Sequence, residues 1–188
     1  MECFMNETIE TERLRLRKAR ESDLEAIFRN VWSDAELCRY MLWDQTEKIE
    51  EAQSRLARTI LYQKEQPAYF VCLRDTDEAI GFAGVRAEED GEYQDSGICL
   101  AAQYQGQGLG KELLAALCRL VFESFGGERF VYGCFHENER SAALCRSLGF
   151  RFIGCEGRVR QRDGYLYICD SYLLTKAEYE RLASRCSS

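Results

Sequence analysis

Gly97-Ile98-Cys99-Leu100-Ala101-Ala102-Gln103-Tyr104-Gln105-Gly106-Gln107-Gly108-Leu109-Gly110-Lys111-Glu112 is the stretch on which the fold turns. Its apolar opening predicts a strand and its glycines a tight turn. The run from Gly108 to Ser124 predicts a helix with Leu109, Leu113, Ala116, Leu117, Leu120 and Val121 as its buried stripe. Glycines let a backbone come close to a ligand, and unpaired N–H groups at a helix start favour an anion. Inside a helix each of the three alternating glycines costs roughly 1 kcal/mol against alanine, and ligand contact explains that cost. Phosphate is the natural ligand, yet two phosphate motifs fail. A dinucleotide fingerprint starting at Gly106 needs glycine where Lys111 stands. A Walker loop ending at Gly110-Lys111 needs glycine in place of Gln105 and Ser or Thr in place of Glu112.

On the N-terminal side of this loop, Leu14 and Leu16 alternate with arginines and predict a strand at about Arg13–Lys18. Ser22-Asp23-Leu24-Glu25 reads as a capping box for a short helix carrying Leu24, Ile27, Phe28 and Val31, and Asp34 to Tyr40 as another short turn. Asp44-x-x-Glu47 reads as the cap of a longer helix with Ile49, Ala52, Leu56 and Ile60 on one face. Strands at Ala68–Arg74, Ala79–Ala87 and Tyr93–Ala101 follow, the last two joined through Asp90-Gly91, a dipeptide that takes positive φ readily. Beyond the loop come a strand at Arg129–His136 and a helix at Glu139–Leu148 ended by Gly149. A hairpin of Phe152–Arg162 and Tyr165–Leu174 turns at Asp163-Gly164, and Thr175-x-x-Glu178 caps a terminal helix. This order predicts an α/β (α+β) architecture, a mixed, mostly antiparallel central sheet flanked by helices.

The chain has 188 residues and a single proline, Pro67, with no linker-like tract, so one domain spanning 1–188 is expected. Lys and Arg total 25 against 32 Asp and Glu, a net charge of -7 with no basic face, which disfavours nucleic acid as the main ligand. Mean hydropathy is -0.40, and the most apolar stretch, Leu113 to Cys118, is far shorter than a bilayer requires. Met1 to Glu7 lacks the basic and apolar parts of a signal peptide, so a cytoplasmic protein is expected. Of ten cysteines, Cys72, Cys99, Cys118, Cys134 and Cys169 fall within apolar runs, as reduced packing residues do. With no C-x-x-C pair and one histidine, no metal site is expected.

What does fit the central loop is Q-x-x-G-x-G from Gln105 to Gly110, followed by Lys111. Asn138-x-x-Ser141, Leu148-Gly149-Phe150, Gly154-x-Glu156-Gly157 and Asp170 leading into Tyr172-Leu173-Leu174 follow in order. Together these resemble the Gcn5-related N-acetyltransferase (GNAT) superfamily. The opening Thr11-Glu12-Arg13-Leu14-Arg15-Leu16-Arg17 is similar to its Rim-type, ribosomal-protein N-terminal acetyltransferase branch. The resemblance covers about residues 10–182 and implies the GNAT acyl-CoA N-acyltransferase fold, with acetyl-CoA as donor. It implies that backbone amides of Gln105, Gly106, Gln107, Gly108, Gly110 and Lys111 hold the pyrophosphate. Cys99 and Leu100 would bond pantetheine through their backbone, with the Leu100 N–H as a one-donor oxyanion hole. Asn138 would bond the pantetheine arm or help place the acetyl group, alongside an N-cap role.

The resemblance also implies direct attack by an amine in a ternary complex. The expected acceptor is a protein N-terminal α-amine; a small-molecule amine, or a non-catalytic acyl-CoA-binding role, stands as the alternative. Either a monomer or a homodimer is compatible. Asp95 is the base candidate, since Gln94-Asp95-Ser96-Gly97 occupies the place where the branch often reads Ala-Glu-Ile-Gly. Being shorter than Glu, it favours a water relay; the bland reading is a solvated carboxylate at a strand start. Ser141 is the candidate partner of the departing thiolate. The family's tyrosine acid is absent, its place taken by Cys145, a packing residue. His136 is read as structural or exposed. Glu88, Glu89, Asp90, Glu92 and Asp95 suggest an acidic edge that draws amines into the acceptor cleft, or a solvated loop. Trp32, Tyr40, Met41, Leu42 and Trp43, with Tyr165 and Tyr167, are candidates to line that cleft.

Overall fold

Alternation of side chains along each strand decides which helices cover which face of the sheet. The computed structural model describes residues 8–186, so the reading of Met1 to Glu7 lies outside it. Eight strands form one sheet: β1 (Ile9–Glu10), β2 (Leu14–Arg17), β3 (Ala68–Leu73), β4 (Ala79–Ala87), β5 (Glu92–Leu100), β6 (Arg129–Phe135), β7 (Arg151–Arg160) and β8 (Tyr165–Thr175). Their spatial order is β1-β2-β3-β4-β5-β6-β8-β7. Only the β5–β6 pair is parallel; every other neighbour is antiparallel. The helices are α1 (Leu24–Ile27), α2 (Ala35–Cys38), α3 (Ile49–Glu65), α4 (Leu109–Arg119), α5 (Glu139–Ser147) and α6 (Lys176–Cys186), with wider π-type turns extending α1 through Trp32 and α4 through Ser124.

Strand β3 shows the sorting. Tyr69 and Val71 enter a core shared with Leu113 and Leu117 of α4, while Phe70 and Cys72 enter a second core with Ile27, Trp32 and Leu56 beneath α1 and α3. Both faces are thus covered, which is why β3 reads as a continuous apolar run. Cys72, Cys99, Cys118, Cys134, Cys145 and Cys169 are buried free thiols that fill these cores.

Two expected caps form otherwise. The expected Ser22–Glu25 box does not form: Ser22 lies inside a 3-10 turn, Asp23 stands at the start of α1 without a side-chain cap, and its carboxylate accepts from the Arg20 N–H at 2.7 Å. The long helix α3 starts at Ile49 behind Lys48 with no side-chain cap, while Asp44 pairs with Arg162 at 2.6 Å. Asp23 caps the 3-10 turn while it pairs with Arg17, and α3 starts only at Ile49, past Asp44, which pairs with Arg162; spacing alone reveals neither. The Thr175–Glu178 box forms as expected, with Thr175 N donating to Glu178 Oε2 at 2.9 Å.

Arg17 ties this half of the molecule together. Its Nη1 and Nη2 donate to both Asp23 oxygens at 2.8 and 2.7 Å, and its Nε to Asp77 at 3.0 Å. The Arg17 and Asp23 side chains are only 4% and 5% exposed, so removing Asp23 leaves a buried guanidinium with only Asp77 to pair it. Asp23→Ala is expected to cost about 3 kcal/mol in urea unfolding. Asp23→Asn, which keeps one acceptor, should cost clearly less.

Candidate active site

Strands β5 and β6 pair over only three positions, Glu92 with Arg129, Tyr93 with Phe130 and Gln94 with Val131. Beyond them the two strands part. A bulge contributes: β5 slips in register against β4 between Ala83 and Val85, and Gly97 takes φ +113°. Gly84 faces this bulge, where a Cβ would stand 2.5 Å from Ser96 Oγ.

Asp95 sits in the fork. Its Oδ1 accepts from the Gly133 N–H of β6 at 2.7 Å and its Oδ2 from the Gly97 N–H at 3.3 Å. It therefore supplies an acceptor across the gap where the strand ladder has ended. Some of the residue still reaches solvent along the cleft, but dense protein around the carboxyl disfavours its charge and pushes its pKa up to about 6; the two N–H groups and the more distant Arg158 and Arg86 oppose that rise.

The edge of β5 facing the fork offers main chain. Ala101 N donates across to Ile80 O of β4 at 2.8 Å, so strand alternation turns the Leu100 N–H the other way, into the open side. Leu100 O accepts from Gln105 Nε2 at 2.9 Å. The Cys99 carbonyl faces β4, where a Cβ on Gly81 would lie 2.2 Å from it. The backbone groups turned toward the fork thus belong to Ile98 and Leu100.

Gly106 and Gly108 both have positive φ, +75° and +82°. Gly108 opens α4 without a side-chain cap, and the first helical bond is Glu112 N to Gly108 O. The N–H groups of Leu109, Gly110 and Lys111 therefore precede any intrahelical partner. Arg13 braces the loop from β2's start: its Nη1 donates to Gln107 O at 2.9 Å and its Nε to Glu112 at 2.8 Å. Gln105 Oε1 accepts from Arg140 of α5 at 3.1 Å.

Asn138 caps α5, its Oδ1 accepting from Ser141 N at 3.2 Å. Ser141 Oγ lies 2.7 Å from the Tyr132 hydroxyl. Burial, reinforced by the nearby Asp95 charge, pushes the Tyr132 phenol well above its ordinary range. Tyr132 was not singled out from the sequence; its signal was a polar-tipped aromatic inside an otherwise apolar strand, three residues past Arg129. Asp95, Ser96, Gly97, Tyr132, Asn138 and Ser141 share one cleft of about 350 Å³ with Tyr40, Met41, Leu42, Trp43 and Tyr167.

A family model described as an acetyltransferase (GNAT) domain matches residues 13–151. The chain belongs to the GNAT acetyltransferase family. Among relatives of this N-acetyltransferase is the uncharacterized N-acetyltransferase YoaA of Bacillus subtilis, 29% identical over 171 residues, covering 89% of this chain and 96% of YoaA. Another, the uncharacterized N-acetyltransferase p20 of Bacillus licheniformis, is 26% identical across 92% of this chain and 98% of its own. The solved structure of RimL, a ribosomal L7/L12 α-N-protein acetyltransferase in complex with coenzyme A, matches at 26% identity and TM-score 0.73, covering 90% of this chain and 98% of RimL. GNAT enzymes take acetyl from acetyl-CoA and act on amine acceptors.

Within this GNAT domain the structure brings Asp95, Ser141, Asn138 and the open edge at Leu100 to one fork, with the glycine loop at the end of β5. It separates others. Trp32 is buried in the α1–α3 core, and Tyr165 lies under Arg160 rather than in the cleft. The acidic hairpin does not line the cleft: Glu88 pairs with Arg86 at 2.6 Å and Glu92 with Arg129 at 3.0 Å. His136 is exposed, its Nδ1 3.0 Å from the Asp170 carboxylate. Among the described residues no cluster of His, Cys, Asp and Glu suits a metal, and no helix is long and apolar enough to cross a membrane.

The Asp95 shift has a consequence for folding. A carboxyl raised from 3.8 to about 6 on folding favours the native state at low pH, and that contribution is lost as pH climbs to about 6. Asp95→Asn does not titrate. Relative to the variant, the wild-type protein should therefore lose roughly 2–3 kcal/mol of stability between about pH 4 and pH 7. Denaturant titrations at both pH values check this, and a difference independent of pH would contradict it.

Proposed function

We propose that this chain transfers acetyl from acetyl-CoA to a primary amine by direct attack, with a protein N-terminal α-amine as acceptor. The observation that carries the reading is the Asp95 carboxyl, held by the Gly133 and Gly97 N–H groups in the β5–β6 fork where it lines the cleft; burial there raises its pKa to about 6. A free α-amine has a pKa of about 7.7–8.0 and lysine about 10.4, so deprotonation at neutral pH costs about 1 kcal/mol for the first and nearer 5 for the second. A carboxylate near 6 is ionised at pH 7 and basic enough to take the proton from an attacking α-amine, directly or through one water. The α-N-acetylation in RimL's name favours the same acceptor.

The residues present fit a coenzyme A diphosphate: the helix start is uncapped, and a Cβ at Gly106 would meet nothing within 4 Å. Acetyl-CoA supplies the activated acetyl thioester. Main-chain amides from Gln105 to Lys111 hold its diphosphate, and Asn138 bonds the pantetheine arm. The Leu100 N–H donates to the thioester oxygen as charge builds there. Tyr132, kept protonated by burial, donates to Ser141 Oγ and frees the serine hydrogen for the leaving sulfur. A thiol of ordinary pKa, about 8.5, needs no stronger acid.

Thiol release with acetyl-CoA over panels of N-terminal peptides and small amines tests the acceptor; turnover confined to small amines would exclude the peptide. Asp95→Asn should lower kcat/KM about 10²–10³-fold while coenzyme A affinity holds. The acidic limb near pH 6 should vanish once the rate is corrected for neutral amine. Unchanged turnover removes Asp95 from the chemistry. Gly108→Asp should abolish coenzyme A binding in calorimetry, and retained affinity would move the diphosphate elsewhere.

A further inference from the structure

The cleft around Asp95 adjoins a neighbouring space lined by Trp43, Tyr62, Phe82, Ser96 and Gly97, residues both compartments share, and by Arg55. Arg55 and Arg58 of α3 then line an adjoining cavity of about 490 Å³. Arg55 is half-buried between two indoles, its guanidinium 4.7 Å from the Trp32 ring centre and 4.2 Å from that of Trp43. Its hydrogen bonds among the described residues all run from Nη1, to Thr46 Oγ1 at 3.1 Å and Asp44 O at 3.5 Å. A guanidinium carries five N–H donors, so the Nε and Nη2 side of the fork is left over.

No carboxylate among the described residues pairs with Arg55. Asp44 is engaged by Arg162, and Glu51, which lines the same cavity one turn earlier, makes no ion pair with it. Burial pulls Arg55 down to about 10, still charged at neutral pH, and Arg58 repels it. The indole Nε1 of Trp43, beside it, is buried without a hydrogen-bond partner. The unpaired donors of Arg55 reach solvent inside the adjoining space, where an anion can take water's place against a guanidinium that its aromatic walls already partly desolvate.

We infer that Arg55 binds a carboxylate of the acceptor, so that the enzyme selects amines carrying an acidic group remote from the reacting nitrogen. The inference rests on the proposed acceptor site at Asp95 and deepens it. Arg55 lines the adjoining compartments and not the one around Asp95, so amine and carboxylate occupy separate spaces and do not share a carbon. An N-terminal peptide with Asp or Glu just after its first residue has this form. The planar fork held between aromatic faces suits bidentate recognition of a carboxylate.

Calorimetric binding to the full chain in the presence of coenzyme A tests this independently of turnover. The probes are a hexapeptide with Glu at its second and third positions, its Gln-matched twin, and 6-aminohexanoate. The Glu peptide should bind roughly ten- to a hundredfold more tightly than its twin. That ratio should fall to about one in Arg55→Gln and to an intermediate value in Arg55→Lys. A ratio near one in the wild-type protein overturns the inference whether or not the variants fold, as does a ratio that survives Arg55→Gln. Glu-selective binding without acetylation would sink the transferase reading and leave the carboxylate site standing. Binding of 6-aminohexanoate alone, or of no probe, overturns the acidic peptide.

Discussion

β5 and β6 share three residue pairs and then part, and the rest of the site is a response to that parting. A strand that leaves its neighbour strands N–H and C=O groups that had been obliged to pair. Here the gap is too wide for the ladder, and it opens on a cleft of about 350 Å³. Asp95 answers Gly133, Gln105 answers the Leu100 carbonyl, and the Leu100 N–H is left facing the fork. A donor without a partner beside an uncapped helix start is what a thioester and a diphosphate need. The carboxyl that patches the sheet is also the one crowded enough to become a usable base at neutral pH.

Charge is distributed against the overall balance. The chain carries -7, yet Asp95 is the acid that lines its own compartment, alongside Arg86 and Arg158. Two acidic residues of the β4–β5 hairpin, Glu88 and Glu92, are turned to arginines at the surface. Net charge describes the far field; the groups that meet a bound acceptor are set by which residues of each strand face the fork. Aromatic rings of Tyr40, Trp43 and Tyr167 supply the walls, with Phe135 stacked on Tyr167 at 4.0 Å between ring centres.

Elements with periodic patterns were legible in the sequence. The α4 stripe from Leu109 to Val121 is buried as its spacing requires, and both Asp-Gly turns join the strands they were expected to join. The glycine loop could be read because glycine at alternating positions has a local cost that calls for a local reason. The roles of Asp23 and Asp44 could not be read: Asp23 caps the preceding 3-10 turn while pairing with Arg17, and Asp44 pairs with Arg162, partners 6 and 118 residues away. Asp95 was legible as a candidate but not as a fork residue, because the bulge at Gly97 and the short β5–β6 register are pairing facts. Tyr132 was hidden for the same reason, since its partner Ser141 lies on the next helix.

The two ends of the donor loop are held by different parts of the chain, and this bears on how the site is preorganised. Arg13 grips Gln107 O and Glu112 from the start of β2, and Thr11 Oγ1 donates to the same glutamate at 2.6 Å. Gln105 bridges from the Leu100 carbonyl to Arg140 on α5. Two left-handed glycines are flexible in isolation, so a loop containing them gains little as an anion cradle unless its ends are fixed. Bracing from β2 on one side and from β5 and α5 on the other fixes them before any ligand arrives. The same glutamine that holds the loop also occupies the Leu100 carbonyl, leaving the Leu100 N–H as the open group on that residue. The glycine loop and the open edge of β5 are thus positioned by one side chain, five residues beyond the strand end it touches.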